Sequence, residues 1–528
     1  MTVTTTYTPR FLPARLPRIC VAIASSNATE MVEKAESIVR DNPFIEFRLD
    51  YLAKPALALP KIKEFREYHS EAILLATCRR AANGGKFRGS VAAQLEILIK
   101  AGSQGCHLVD IELETAVHLK PADFAKLRSS AHLILSTHDF RSTRKLEETF
   151  ARMKQHPADF FKVVSTANSL YDNVTMMKFL EQHSSSHSLI GICMGEQGII
   201  SRVLAVRAGS QFTFAAANPG EETGPGQITA RTLSDTYRID QVDAATRVYG
   251  VAGDPVAHSL SPVMMNTAFR RENVNGVYLA LHAKSLDDLL ACIRDIPIQG
   301  LSVTMPYKEE IVKHLDKTDP LTAKIGACNT VVRSQDGKLY GFNTDVTGVV
   351  GPLEQRLHLQ GAKILVLGAG GAARAAVFGL KERGADVYIL NRTPGPAQTL
   401  AKQARAKAIG KTNLKKLEFD VIINATPAGM EGNRDPLPIA EEEFKAKIFF
   451  EMVYSPAETK MVKIARSRNM QVILGSEMFV QQGARQFEIW SGKPAPLQEM
   501  QRVVEYALAQ RAAAQNNNGK KETAKNSS

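Results

Sequence analysis

The sequence contains no CxxC pair. Its six cysteines, Cys20, Cys78, Cys106, Cys193, Cys292 and Cys328, are scattered, several of them inside apolar strand-like runs. This argues against a disulfide framework and against a zinc site, so no metal is expected. It fits buried thiols in a reducing compartment such as the cytoplasm. No uninterrupted apolar run approaches the length of a membrane span. The opening MTVTTTYTPRFLPARLPR lacks the apolar core of a signal peptide. It is Thr- and Arg-rich and free of acids, as transit peptides are, but very short. We read residues 1–16 as a disordered leader, with a plastid location open if the source is a plant. Also missing is a basic tract with interleaved aromatics. The net charge of +12 therefore points to an enzyme that handles anions and not to nucleic-acid binding.

What is present is the composition of an ordinary globular protein. At 44% hydrophobic and 23% charged over 528 residues, the chain can fill two or three domain cores. Short apolar runs alternate with helical patterns, the signature of parallel α/β architecture. The first half holds eight runs, RICVAIAS, FIEFRLD, AILLATCR, HLVDIEL, HLILSTHD, FFKVVST, LIGICMG and FTFAAA. Eight β/α units predict a (β/α)8 barrel over residues 17–243. The count restarts near Arg247 with VYGVAG, GVYLALHA and GLSVTMPY, and KILVLGAGGAARAA then opens a second parallel pattern. We expect an α/β substrate-binding domain over 247–350, a Rossmann-type domain over 351–477, and a return of 478–505 onto the former. The polar, low-complexity end over 511–528 reads as a disordered tail.

In a (β/α)8 barrel, chemistry sits at the C-terminal ends of the strands. Glu46, Arg48, Arg79, His138 and Lys162 fall at or near such ends, and Arg202 follows the seventh strand. Lys162, inside Asp-Phe-Phe-Lys-Val-Val, is the most informative. Facing the barrel interior, its pKa should fall by desolvation, and a neutral amine can form a Schiff base with a ketone. The plain alternative is a lysine snorkelling to the rim. His138 suits proton transfer, and its plain alternative is a core histidine bonded to Asp139. Arg48, Arg79 and Arg202 would suit a carboxylate substrate, or else form surface ion pairs.

With these residues in view, Glu46-Phe-Arg48, Ser136-Thr-His138-Asp139-Phe, Phe161-Lys162, Ile200-Ser-Arg202 and Pro225-Gly-Gln227 resemble the type I 3-dehydroquinate dehydratases. The resemblance implies an imine at Lys162, with His138 removing a proton and then helping to expel water. It also implies that Arg202 holds the carboxylate, and that Glu46, Arg48, Arg79, Phe214, Thr223 and Gln227 line the pocket. One departure stands out. The family usually carries an acid just before the Gly-Gly after strand three, where this chain has Asn83-Gly84-Gly85.

In the second half, Gly368-Ala-Gly370-Gly371-Ala372-Ala373 follows a strand and opens an apolar helix. That setting makes a pyrophosphate-binding turn, against the plain alternative of a glycine turn that binds nothing. The next strand ends in Asn391-Arg392-Thr393. NAD enzymes usually place an acid there, whereas Arg392 would attract a 2′-phosphate, so NADP is expected. Ser259 and Ser261 offer hydroxyls, or simply helix caps. Lys308 lies beyond the strand that ends at Val303-Thr304, where a surface role is the alternative. Asp345 could likewise be a helix cap.

Together these segments resemble the shikimate dehydrogenases over about 247–505. The resemblance implies that Ser259, Ser261, Thr304, Asn329, Asp345 and Gln482 grip the substrate. Lys308 and Asp345 would form the catalytic pair, with Tyr454 nearby and Thr426 on the cofactor. The two resemblances are chemically consecutive, and their substrates, 3-dehydroquinate and 3-dehydroshikimate, are anionic. Rival readings are a ligand-sensing regulator with the same folds, a quinate- or NAD-preferring second half, and an aldolase-like barrel.

Overall fold

The computed structural model describes the backbone of residues 11–525 and side chains through residue 513. The chain divides into two compact units, Met1–Thr246 with Leu281–Pro297, and Arg247–Ala280 with Ile298–Ser528. The helix Leu286–Asp295, which falls inside the 247–350 range expected for the substrate-binding domain, thus clusters with the first unit.

The first unit is a (β/α)8 barrel. Its strands are β1 (Ile19–Ile23), β2 (Phe44–Arg48), β3 (Ile73–Thr77), β4 (Leu108–Glu112), β5 (His132–His138), β6 (Phe160–Thr166), β7 (Leu189–Met194) and β8 (Thr213–Ala216). Each of β1–β6 pairs in parallel with the next, β8 pairs with β1, and a single bridge from Leu189 to Ser210 nearly closes the ring.

Strand periodicity decides what points inward. Phe44, Ile73, Leu108, Ile134, Phe160, Ile190 and Phe212 fill the N-terminal half of the barrel interior. Two residues further along the same strands stand Glu46, Asp110, Ser136 and Lys162, and two further still Arg48, Glu112 and His138. The interior therefore changes from apolar to polar partway up. Leu16 is buried in the apolar cluster and Leu12 packs against it. This corrects the expected disordered leader over 11–16: two leucines find apolar surface there. Residues 1–10 lie outside the described residues.

The second unit holds two sheets. The first orders β10 (Gly276–His282), β9 (Arg247–Gly253), β11 (Ile298–Val303), β13 (Thr330–Arg333), β14 (Leu339–Phe342) and β12 (Lys317–Thr318). It is mixed, because β13 runs antiparallel to both of its neighbours. The second sheet is parallel, with the order β17 (Lys407–Ala408), β16 (Asp386–Leu390), β15 (Lys363–Leu367), β18 (Val421–Asn424), β19 (Ile448–Glu451) and β20 (Gln471–Ile473). This is the 3-2-1-4-5-6 order of the Rossmann fold, which reverses between β15 and β18.

The helix Gly475–Ser491 does not stay with the parallel sheet. Phe479, Val480, Phe487 and Trp490 bury against Tyr249, Val251 and the helix Ser261–Arg271. The last helix runs Leu497–Lys525, so 511–525 is helical backbone and not a disordered tail. Ala512 and Ala513 carry high helix propensity, and Met500, Val504 and Leu508 anchor the segment before them. Residues 526–528 lie outside the described residues. Among the described residues, no helix is long and apolar enough to cross a membrane. All six cysteines are buried and unbridged.

Candidate active sites

One cavity of about 160 Å³ opens at the C-terminal end of the barrel. It is lined by nine residues singled out from sequence: Glu46, Arg48, Arg79, His138, Lys162, Arg202, Phe214, Thr223 and Gln227. Lys162 does not snorkel to the rim. It is 3% exposed, its Nζ lies 2.5 Å from Asp110 Oδ2, and it stands 4.2 Å from the centroid of the Phe214 ring. Asp110 also accepts from Ser136 Oγ at 2.6 Å and from Arg79 at 3.3 Å. Burial alone would raise the Asp110 carboxyl, but Lys162, Arg79 and the Ser136 hydroxyl together hold it below its ordinary value.

His138 is not a core histidine tied to Asp139. The Asp139 carboxylate instead accepts from the backbone N–H groups of Arg141 and Ser142. Nδ1 of His138 is buried with no partner. Desolvation, and then the positive charges of Arg79, Lys162 and Arg48, hold the imidazole well below its ordinary pKa. A base must be neutral to accept a proton, so activity is lost only as pH falls through that depressed value. We expect kcat/KM of the barrel reaction to stay flat from pH 8 to below 6.5, as a pH–rate profile would show.

The arginines differ. Arg48 is satisfied by Asp50 at 2.9 and 3.0 Å, and Arg79 is ion-paired with Asp110, although its Nε is buried without a hydrogen-bond partner. Arg202 is 3% exposed and, among the described residues, pairs with no carboxylate. One nitrogen donates to Pro225 O at 2.8 Å, and Nε is buried without a partner. Burial lowers its pKa to about 10. A sequestered guanidinium with an unmet donor suits an incoming carboxylate. Gln227 accepts from the Thr223 amide at 2.7 Å, which orders the loop beside it.

Asn83 and Gly84 also line the cavity. A Cβ on Gly84 would stand 2.3 Å from Phe140 Cζ, and the Phe140 ring stacks on His138 with centroids 6.2 Å apart. The turn bearing Asn83 is therefore one aromatic ring away from the imidazole. Asn83→Asp should raise the His138 pKa by adding an anion, moving the acid limb of the same profile to higher pH. An unmoved limb would show that Asn83 does not act on His138. Sequence reading missed Asp110, although HLVDIEL held a signal: two acids, at alternate positions, in an otherwise apolar strand.

In the second unit, Lys308 Nζ lies 2.5 Å from Asp345 Oδ2. Asn329 Nδ2 donates to Asp345 Oδ1 at 2.7 Å and to Gln482 Oε1 at 3.4 Å. Lys308 is thus not a surface residue, and Asp345, 4% exposed, is paired and not merely a cap. A buried chain continues from this cluster. Gln486 donates to Asn329 O and Thr330 Oγ1, each at 3.0 Å, and accepts from Ser302 Oγ, which in turn accepts from Tyr278. Ser261 hydrogen-bonds to Tyr278, and the Ser261 amide donates to Ser259 Oγ at 3.2 Å. Thr304 follows β11, where its amide donates to Ala252 O at 2.9 Å. Tyr454 stacks on Phe479 with ring centroids 4.6 Å apart.

The glycine turn lies at the switch point of the parallel sheet. Gly368 has φ +112, and a Cβ there would meet Ala425 O at 2.9 Å and Thr426 Cγ2 at 3.2 Å across the crevice. A Cβ on Gly370 would meet nothing within 4 Å, and the helix Gly371–Glu382 starts next with its N–H groups outward. Gly371, Ala372 and Ala373 form its first turn, and Ala373 is fully buried against the sheet. Lys308 Cδ lies 3.6 Å from the Cβ position of Gly371, so the turn and the Lys308–Asp345 pair adjoin. Asn391 donates to Thr393 O at 2.9 Å, and exposed Arg392 meets Asp435 at 3.2 Å. Thr426 donates to Asn424, which donates to Glu451, a carboxyl that burial raises to about 7. This open, N–H-rich turn fits the pyrophosphate of a dinucleotide. Among the described residues, no cluster of His, Cys, Asp or Glu is placed to hold a metal.

Family models match in the same order. The type I 3-dehydroquinase model covers residues 19–244 and the shikimate dehydrogenase substrate-binding domain 251–331. Shikimate / quinate 5-dehydrogenase covers 353–431, and the shikimate 5′-dehydrogenase C-terminal domain 475–505. The chloroplastic bifunctional 3-dehydroquinate dehydratase/shikimate dehydrogenase of Arabidopsis thaliana is 33% identical over 90% of this chain and 82% of its own length. The chain belongs to this bifunctional family. A shikimate dehydrogenase (NADP(+)) of Methanosarcina acetivorans is 40% identical over 50% of this bifunctional chain and 99% of its own length. The solved dehydroquinate dehydratase and shikimate dehydrogenase from S. pombe is 25% identical, covering 92% of this chain and 98% of its own, with a TM-score of 0.44.

Proposed function

We propose that 17–243 of this bifunctional enzyme dehydrates 3-dehydroquinate to 3-dehydroshikimate, and that 247–505 reduces that product to shikimate with NADPH. In this assignment 247–350 and 478–505 bind substrate and 351–477 binds the cofactor. Catalysis takes place in the cytoplasm, or in a plastid for a plant source. The observation that carries the reading is the barrel cavity, where a buried lysine, an imidazole kept neutral and an unsatisfied guanidinium face one space.

Arg202 holds the substrate carboxylate. Lys162 passes one proton to His138 and attacks the ketone; that proton then returns to the carbinolamine hydroxyl, which leaves as water, and the resulting iminium is stabilised by Asp110 and the Phe214 ring face. The iminium acidifies the neighbouring C–H. His138 removes that proton, and the electron pair expels the β-hydroxyl, which leaves as water with the proton carried by His138. Hydrolysis then frees Lys162.

In the second site the hydroxyls of Ser259, Ser261 and Thr304, the amides of Asn329 and Gln482, and Tyr454 orient the substrate. When bound, NADPH supplies a hydride. Lys308, held by Asp345, gives a proton to the developing alkoxide. Gly368, Gly370, Gly371, Ala372 and Ala373 would receive the pyrophosphate. Asn391, Arg392 and Thr393 would receive the adenosine end, and Thr426 would line the crevice.

The test supplies 3-dehydroquinate and NADPH to the full chain and follows enone absorbance and NADPH loss together. We expect a transient enone and steady NADPH consumption. Untouched 3-dehydroquinate with reduction of added 3-dehydroshikimate would sink the barrel assignment, and no reaction of either would favour a ligand-sensing regulator. For the cofactor, Arg392→Ala should raise KM for NADPH about tenfold or more, the loss of one charge-assisted phosphate contact, and leave KM for NADH unchanged. Equal changes for both cofactors would remove Arg392 from the 2′-phosphate.

A further inference from the structure

The last helix brings a cation to the substrate loop of the second site. Arg511 Nη1 donates to His258 O at 2.8 Å, the carbonyl that leads directly into Ser259. Among the described residues, Arg511 makes this hydrogen bond and no ion pair with a carboxylate. Tyr454 faces the same group: burial raises its phenol and the Arg511 charge opposes that rise. Tyr278 hydrogen-bonds to Ser261, and Tyr454 is within its electrostatic reach. Two serine hydroxyls, a tyrosine and a guanidinium thus gather at one place.

The buried chain through Tyr278, Ser302, Gln486 and Asn329 connects this place to Asp345 and Lys308. The Asp345 end already holds a carboxylate, which repels a second one. An anionic substrate therefore sits with its charge away from Asp345, at the hydroxyl- and guanidinium-bearing end. We infer that Arg511 is a specificity-determining residue of the dehydrogenase site, its guanidinium recognising the substrate carboxylate beside Ser259, Ser261 and Tyr454. This rests on the proposed shikimate dehydrogenase reading of that site. Its other N–H donors, which make no hydrogen bond among the described residues, can take a carboxylate oxygen while Nη1 keeps the His258 carbonyl.

The test compares an anionic substrate with its uncharged isostere on the full chain. Shikimate and its methyl ester are oxidised with NADP+ by wild type and by Arg511→Ala, Arg511→Gln and Arg511→Lys. Arg511→Gln keeps a donor for His258 O and removes the charge. We expect KM for shikimate to rise about 10- to 100-fold in the Ala and Gln variants, with kcat near wild type. Arg511→Lys should recover part of the loss, and the ester should be affected less than about threefold in all three variants. Equal losses on acid and ester would reduce Arg511 to a prop for the 254–261 loop and overturn the inference. Unchanged KM for shikimate in Arg511→Gln would overturn it too. If wild type oxidises neither compound, the dehydrogenase reading itself fails, a result distinct from either.

Discussion

Lys162→Ala should abolish dehydration of 3-dehydroquinate and leave reduction of 3-dehydroshikimate untouched. The expected loss is roughly 10⁵-fold or more, because a nucleophile fixed beside its carbonyl carries an effective molarity on the order of 10⁵ M or above. Stability must be separated from chemistry. Lys162 and Asp110 are both buried, and removing one partner of such a pair costs up to about 3–5 kcal/mol. Arg79, 3.3 Å from Asp110, should soften that cost. The companion variant is therefore Lys162→Met with Asp110→Asn, which removes the pair together and leaves Arg79 the Glu112 carboxylate 3.9 Å from its Nε. It should melt near the wild-type temperature and remain inactive. Borohydride added during turnover should fix substrate mass on the wild-type chain at Lys162 and on neither variant. Mass on a different lysine would end the Lys162 assignment.

The second large effect is on the other reaction. Lys308→Ala should lower kcat for 3-dehydroshikimate reduction by about 10²- to 10⁴-fold, the usual worth of a placed general acid, with dehydratase activity within about twofold of wild type. Asp345→Asn should fall in the same range. Asn at 345 can still accept from Asn329, but it no longer opposes the charge on Lys308. The diagnostic is the split: kcat falls further than KM for either substrate rises, because the proton is needed at the alkoxide and not for binding. A loss confined to KM would make the pair a binding element.

Much of this was legible because the signals are local. Eight apolar runs predicted eight strands, and a charged residue within such a run has few places to go. Lys162 shares parity with Phe160 and Val164, and that parity puts all three inside the barrel. Gly368 and Gly370 were equally readable, since a strand, a glycine turn and a helix are contiguous in sequence. Less legible was anything that needs two distant segments. Asp110 passed unremarked because an acid in an apolar strand gains meaning only when another strand presents a cation to it. Arg511 was lost in a segment read as a tail, because alanine-rich polar sequence is compatible with helix or with disorder until something packs against it.

Asn83 sits between these cases. Its departure from the family pattern was visible in the sequence, but its consequence was not. Only the fold shows His138 with an unpartnered Nδ1, and Asn83 one aromatic ring away.

The sequence by itself determined the order of elements, the three kinds of sheet-bearing segment and nearly every chemical group in the two sites. Strand periodicity and the glycine fingerprint are written in near neighbours. The tertiary structure alone decided how those groups are paired: Lys162 with Asp110, Arg48 with Asp50, Lys308 with Asp345 and, among the described residues, Arg202 with no carboxylate. It also decided where Leu12, Leu16 and the helix Leu286–Asp295 pack. Pairing energies depend on distance and desolvation, and both are properties of strands brought side by side, not of the order in which they follow along the chain.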